Sequence, residues 1–296
     1  MKFSAFILGL FSFTLCQLGT AQDNSLVSNN RLVKEIKKDK KKKRYRLPKI
    51  DLSHWKVTIP AGKPDEVSPP EIKAYANIAK LKPYMYTDST DGSIVFHAVP
   101  MQTTANTKYS RSELREQIKP GNNNVNWTFA QGGTLSGTLK MDAVSKGADG
   151  KYHKVIIMQI HGRLTNEQRD KIGQKDNNAP PILKIYWDNG KIRVKTKVLK
   201  IKGLNGDALL HESVWGDDEG RNFKEKVNFN KFRLEVNVSD GKMVVSLNQN
   251  EFFVYDDVNI RKWGVFENYF KAGNYLQTRD EGAFAKVKYY KLKATH

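Results

Sequence analysis

Three short stretches of the sequence place ionisable or hydrogen-bonding side chains at alternate positions. In RSELREQI, residues 111–118, an extended chain puts Arg111, Glu113, Arg115 and Gln117 on one face and Ser112, Leu114, Glu116 and Ile118 on the other. In VIIMQIHG, residues 155–162, the face of Val155 and Ile157 continues into Gln159 and His161, opposite Ile156, Met158 and Ile160. In YFKAGNYLQ, residues 269–277, Tyr269, Lys271, Gly273, Tyr275 and Gln277 align, with Phe270, Ala272 and Leu276 behind them. Side by side, three such strands make a cationic groove that holds an imidazole and phenols. An imidazole with an ordinary pKa near 6.5 takes a proton at neutral pH, and a phenol can give one. A guanidinium binds a carboxylate through a two-pronged, charge-assisted contact. Taken singly, His161 reads as a structural histidine, Tyr275 as a core or rim aromatic, and the arginines and Glu113 as a surface ladder. Their joint occurrence gives them weight. His54, His97, His153, His211 and His296 have no comparable setting and read as structural or solvent-exposed.

The elements that must position these residues are mostly strands. Period-two or β-branched runs occur at 56–59, 93–99, 110–119, 133–141, 155–161, 182–187, 191–198, 232–238, 243–247, 251–255, 269–278 and 284–292. Turn pairs separate many of them, including Asp91-Gly92, Asp149-Gly150, Asn189-Gly190 and Asp240-Gly241, and Asn189-Gly190 is the strongest hairpin signal. One helix is predicted after Pro69-Pro70, with Ile72, Tyr75, Ala76 and Ala79 on one side. A dozen strands without β-helix-β alternation predict an all-β antiparallel sandwich or jelly roll. Long polar segments at 163–181 and 202–226 read as loops that could wall a cleft.

The chain has 296 residues, a net charge of +19 and a single cysteine. Its length suits one large domain or two small ones, and its aromatic content excludes a disordered or collagen-like chain. The positive balance calls for an anionic partner, and composition does not choose among nucleic acid, anionic lipid and acidic polysaccharide. Residues 1–21 read as a secretory signal: Lys2, an apolar run to Leu18, then Gly19-Thr20-Ala21 before Gln22. The protein is therefore expected to be secreted, extracellular or periplasmic. Lipid attachment at Cys16 is the weaker alternative, because Leu15 stands where a small residue is normal. Cleavage after Ala21 leaves a mature chain without thiols. Residues 22–49 read as a basic flexible linker: from Arg31 to Lys49, eleven cations against Glu35 and Asp39 give +9. The linker is either a solvated spacer or a tether to an anionic surface. The body, 50–296, carries the remaining +10, and no other stretch is apolar enough to span a bilayer.

The three segments resemble, in order, the signature regions of the alginate lyases of polysaccharide lyase family 7, approximately R-[ST]-E-[LV]-R, Q-[IV]-H and Y-F-K-A-G-x-Y-x-Q. The opening DLSHWKVTIP, from Asp51, also resembles the family's usual domain start, and Leu276 departs from an Asn common there. The resemblance implies a β-jelly-roll with a concave substrate cleft and β-elimination on alginate, leaving a 4,5-unsaturated uronate. It also implies catalytic roles for Arg111, Gln159, His161 and Tyr275. Arg111 and Gln159 would neutralise the substrate carboxylate, without which the C5 proton is hardly acidic. His161 would be the base for guluronate, whereas Tyr275 would be the acid and, for mannuronate, the base as well. An unperturbed phenol is a poor base, so that last role calls for Lys271 or Arg111 to lower its pKa. Glu113, Arg115, Lys271 and Gln277 are expected to bind substrate or hold the array. Ile160 in Q-I-H points weakly to guluronate-containing blocks.

No cofactor and no metal are expected, and Asp217-Asp218-Glu219 and Asp256-Asp257 read as solvated acidic turns rather than calcium loops. Alginate is the expected partner, with no nucleic acid and no membrane span, and the enzyme is expected to be a monomer. A glycoside hydrolase would need two placed carboxylates, and no E-x-D-x-x-E strand is present. A lectin for acidic glycans would use the same arginines and aromatics without needing both His161 and Tyr275.

Overall fold

From Phe232 to Ser239, buried and solvent-facing side chains alternate without a break, as a strand with one face on a core requires. In the computed structural model, which describes residues 45–62, 65–101, 103 and 107–296, the same pairing physics yields seventeen strands. The secretory signal, Cys16 and the linker up to Arg44 lie outside the described residues. In chain order the strands are Trp55–Ile59 (β1), Asp65–Val67 (β2), Met85–Asp88 (β3), Ser93–Ala98 (β4), Arg111–Glu116 (β5), Trp127–Thr128 (β6), Gly133–Val144 (β7), Val155–Arg163 (β8) and Asn178–Asp188 (β9). They continue with Lys191–Leu199 (β10), Trp215–Asp217 (β11), Arg221–Lys226 (β12), Phe232–Ser239 (β13), Lys242–Leu247 (β14), Glu251–Tyr255 (β15), Glu267–Leu276 (β16) and Ala285–Thr295 (β17).

All pairings are antiparallel and form two sheets. The first runs β11-β10-β9-β8-β16-β5-β1-β2, with β12 on β10 and β6 on β16. The second runs β15-β14-β13-β7-β17-β4-β3. The sheets enclose one core, with Trp127, Trp187, Trp263, Phe96, Phe270 and Tyr289 among its largest members. This is the jelly-roll sandwich expected from the strand pattern. The Asn189-Gly190 turn joins β9 to β10 with φ of 49° and 81°, the left-handed pair that a two-residue hairpin needs.

The single helix expected after Pro70 is instead two 3₁₀ segments, Glu71–Asn77 and Ala79–Leu81, interrupted at the extended Ile78. A three-residue period carries Ile72, Tyr75 and Leu81 inward and leaves Ala76 and Ala79 exposed. The two expected loops are more regular than their composition suggests. The first holds a short helix, Asn166–Lys171 (α1), closed by a Thr165–Gln168 capping box, and the start of β9. The second holds β11 and β12. Of the acidic turns, Asp257 caps the helix Val258–Lys262 (α2), and Asp217 is ion-paired with Lys184 and Lys197. Among the described residues no cluster of three His, Cys, Asp or Glu side chains could hold a metal ion, and no helix is long and apolar enough to cross a membrane.

The inward faces of β5 and β16 are not wholly apolar. Ser112 donates to the Tyr84 carbonyl (2.9 Å), and Asn274 donates to the carbonyls of Phe96 (3.0 Å) and Ala285 (2.7 Å). Glu116, 3% exposed, accepts from Trp127 Nε1 (3.1 Å), from the Phe270 amide (3.0 Å) and from His296 Nε2 (2.8 Å). His296 Nδ1 lies 3.0 Å from the Gly132 carbonyl, so both ring nitrogens face acceptors. That geometry selects the imidazolium. Burial opposes the charge, but Glu116 and the Gly132 carbonyl outweigh it and raise the His296 pKa. A raised histidine pKa stabilises the fold fully below the unfolded value and loses that contribution as pH rises through the folded one. His296→Gln should therefore lower the melting temperature at pH 5 by about 2–4 °C, the equivalent of about 1 kcal/mol, and by less at pH 9, as measured by calorimetry.

Candidate active site

β8, β16 and β5 are consecutive in the first sheet, so the three polar segments lie side by side. Their registers set Tyr275 against Arg111, Gly273 against Glu113, Lys271 against both Arg115 and Gln159, and Tyr269 against His161. Directly opposed residues project to the same face. One expectation needs correction: Val155 and Ile157 do not share the groove face with Gln159 and His161. Ile157 is an extra residue relative to β9, and this bulge reverses the alternation. Val155, Ile157 and Met158 join the core, while Ile156 sits between Tyr275 and Tyr186 in the row containing Arg111. Leu276 is fully buried in the core, behind the groove as expected.

The centre of the floor is Glu113, only 1% exposed. Its Oε1 accepts from Gln159 Nε2 at 2.6 Å, and its Oε2 lies 2.5 Å from Lys271 Nζ and 3.8 Å from Arg111 Nε. Opposite it stands Gly273, where a Cβ would lie 2.8 Å from Glu113 Cα, so the two strands approach closely here. Burial pulls the Lys271 ammonium down to about 8, with Glu113 opposing and Arg111 reinforcing the shift. Arg111 also donates to Thr107 Oγ1 (2.8 Å). Arg115 lies 4.0 Å above the Tyr269 ring and donates to the carbonyls of Glu116 (2.7 Å) and Asn123 (3.0 Å) and to Asn126 Oδ1 (3.0 Å).

His161 Nδ1 lies 3.0 Å from the Gly162 carbonyl, which assigns the proton to Nδ1 and leaves the Nε2 lone pair available. The ring stacks on Tyr269 at 5.2 Å. Burial, followed by the Lys271 charge, pushes its pKa down to about 3, so it is a neutral imidazole at working pH. Tyr275 packs edge-on against Tyr109 at 6.4 Å, with the Arg111 guanidinium 5.9 Å from its ring. Burial raises its pKa despite Arg111, so the cations do not make it an acidic phenol, contrary to the requirement set for a base. The Arg111 charge acts on both His161 and Tyr275.

Two residues of the same faces are engaged elsewhere. Gln117 ties down the following loop through Asn123 Oδ1 (2.9 Å) and the Gly121 amide (2.9 Å). Gln277, just past the end of β16, donates to the Tyr275 carbonyl (3.0 Å). An open groove of about 300 Å³ is lined by Arg111, Arg115, Tyr269 and Lys271, and also by Lys56 and Arg163, which the segments did not suggest. Strand register also reveals a ladder of Lys56, Arg115, Lys271, Gln159, Lys184 and Lys195, one residue from each of six adjacent strands. Like charges directly opposed are destabilising. Three carboxylates relieve the row: Glu66 lies 2.6 Å from Lys56, Glu113 is beside Lys271, and Asp217 lies 2.5 Å from Lys184. In the sequence only the alternation in KIRVKTK hinted at the far end of this row.

A family model described as alginate lyase matches residues 50–296, the whole two-sheet body. The chain belongs to the alginate lyase family. The alginate lyase of Klebsiella pneumoniae is 27% identical over 298 aligned residues, covering 84% of this chain and 90% of that one. The crystal structure of alginate lyase A1-II′, a member of polysaccharide lyase family 7, superposes with a TM-score of 0.66 at 30% identity, covering 83% of this chain and 96% of that one. The fold is shared also with the Pseudomonas aeruginosa alginate lyase (TM-score 0.61, 24% identity, 83% and 99% covered). This alginate lyase is thus a polysaccharide lyase enzyme.

Two outcomes follow for the floor of this lyase. Glu113→Ala leaves buried cations uncompensated and should lower the unfolding free energy by about 3–5 kcal/mol in urea titrations. KM for polymer should hold steady up to about pH 8 and rise above it, as Lys271 loses its charge and the groove becomes less positive.

Proposed function

We propose that the protein is an exported alginate lyase that cleaves by β-elimination, with a weak preference for guluronate-containing blocks. Arg111 and the second N–H of Gln159 receive the carboxylate of the sugar to be cleaved, while Glu113 holds both groups in place. Neutralising that carboxylate makes the C5 proton removable. His161 Nε2 takes the proton, the C5–H electron pair becomes the C4=C5 bond, and the C4–O bond breaks. Tyr275 gives its proton to the departing oxygen, and solvent exchange returns His161 and Tyr275 to their starting states. Lys271, Arg115 and the rest of the cationic ladder bind neighbouring carboxylates.

The observation that carries this reading is the opposed poise of His161 and Tyr275. The imidazole is kept neutral with Nε2 free, and the phenol is kept protonated. A separate base and acid suit guluronate, in which the C5 hydrogen and the leaving oxygen lie on opposite faces of the ring. The guluronate reading gains support from the related lyase A1-II′, which has been crystallised with a product written GGG. Glu113, buried and ion-paired, is unsuited to acting as a hydrolase acid. Export rests on the signal-like residues 1–21. A monomer is proposed because Arg111, Gln159, His161 and Tyr275 all lie on three adjacent strands of one sheet.

Turnover of polyguluronate and polymannuronate, followed by ultraviolet absorbance of the new double bond, tests the reading. Tyr275→Phe should lose about 10²–10⁴-fold in kcat while retaining oligosaccharide binding. His161→Ala should impair polyguluronate turnover far more than polymannuronate turnover. Near-wild-type turnover by Tyr275→Phe would remove it from the mechanism. Equal losses on both polymers for His161→Ala would remove the guluronate assignment, and wild-type binding without new absorbance would make the protein a lectin.

A further inference from the structure

Tyr289 belongs to β17, in the sheet that does not carry the groove, and is completely buried with its ring edge-on to Phe96 at 5.4 Å. Its hydroxyl crosses the core to the first sheet. There it accepts a hydrogen bond from the Gly273 amide at 3.0 Å and donates one to the Ile157 carbonyl. These two residues mark the place where β16 and β8 lose register. Between the pairs Ala272–Met158 and Tyr275–Ile156, β16 advances three residues while β8 advances two. A bulge of this kind leaves backbone groups without ladder partners and redirects the side chains beyond it. One hydroxyl can satisfy both an N–H and a carbonyl, because it carries a donor and lone pairs.

The bulge is also held against β5. Gly273 has φ of +145°, and a Cβ there would lie 2.7 Å from the Ser112 carbonyl oxygen and 2.8 Å from Glu113 Cα. Two residues past Gly273 is Tyr275, and two past Ile157 is Gln159. We infer that Tyr289 is a positioning residue for the elimination: from the opposite sheet, its hydroxyl sets the bulge that aims Tyr275 and Gln159 at the same sugar. This inference rests on the roles proposed above for those two residues. Tyr289 cannot touch substrate, and burial raises its pKa well above the ordinary phenol value, so it serves as a fixed hydrogen-bonding group rather than a proton carrier.

The test compares Tyr289→Phe with Phe96→Leu, which disturbs the packing of the same ring but leaves the hydroxyl in place. Displacing reacting groups by about 1 Å can cost on the order of 100-fold in rate. Tyr289→Phe should therefore lose about 10–100-fold in kcat, with KM for alginate within about twofold, because the charged members of the ladder, Lys56, Arg115, Lys271, Lys184 and Lys195, keep their places. Phe96→Leu should lower the melting temperature comparably while keeping kcat near wild type. If Tyr289→Phe does not accumulate as folded protein, Tyr289→His keeps a ring that can hydrogen-bond and should recover more kcat than Tyr289→Leu, which has no such group. A kcat for Tyr289→Phe near wild type, or an equal kcat loss in Phe96→Leu, would overturn the inference. The result with Tyr275→Phe keeps the two readings separate. If that variant is active, the proposed mechanism falls. If it is inactive while Tyr289→Phe is fully active, only the positioning role falls.

Discussion

The groove depends on one buried carboxylate. Glu113 is held where solvent cannot reach it, and an isolated charge there would be very costly. Lys271, Arg111 and the Gln159 amide compensate it, and each comes from a different place on three adjacent strands. The carboxylate also makes the crowding of cations tolerable, since Arg115, Lys271 and Arg111 would otherwise repel one another on the sheet face. A single interaction thus holds the side chains of the groove floor in place and permits a surface whose charge suits a polyanion.

The same principle extends along the sheet. Glu66 and Asp217 do for Lys56 and Lys184 what Glu113 does for Lys271. Each ammonium is thus paired with a carboxylate of its own. Successive strands are spaced about 4.8 Å apart, so the row presents positive charge at regular intervals across the strand direction. A polymer with one carboxylate per sugar is the natural ligand for such a row.

Burial sets the protonation states of His161 and Tyr275. It disfavours whichever form is charged, so the same floor keeps His161 a neutral imidazole and Tyr275 a protonated phenol. Burial with a carboxylate instead of cations has the opposite result at His296, which faces Glu116 and holds its proton. Two histidines in one domain thus differ because their neighbours carry opposite charge.

Alternation at every second residue determined much of this in the sequence alone: the all-β sandwich, the Asn189-Gly190 hairpin, and the grouping of Arg111, Glu113 and Arg115 and of Lys271 and Tyr275. Those signals are local, because strand faces follow from a two-residue period. The sequence did not reveal the bulge at Ile157, since an extra residue shows only when a partner strand sets the register. It could not place Lys56, Lys184 and Lys195 in line with Arg115, because cross-strand neighbours are set by long-range pairing. Nor could it mark Glu116 as a buried anchor for His296 or connect Tyr289 to Ile157, as these contacts join segments far apart in the chain. Which groups could form the site was settled by residue type and spacing. Their protonation states and their aim were decided by the tertiary structure, because burial and bulge geometry exist only once the two sheets have packed.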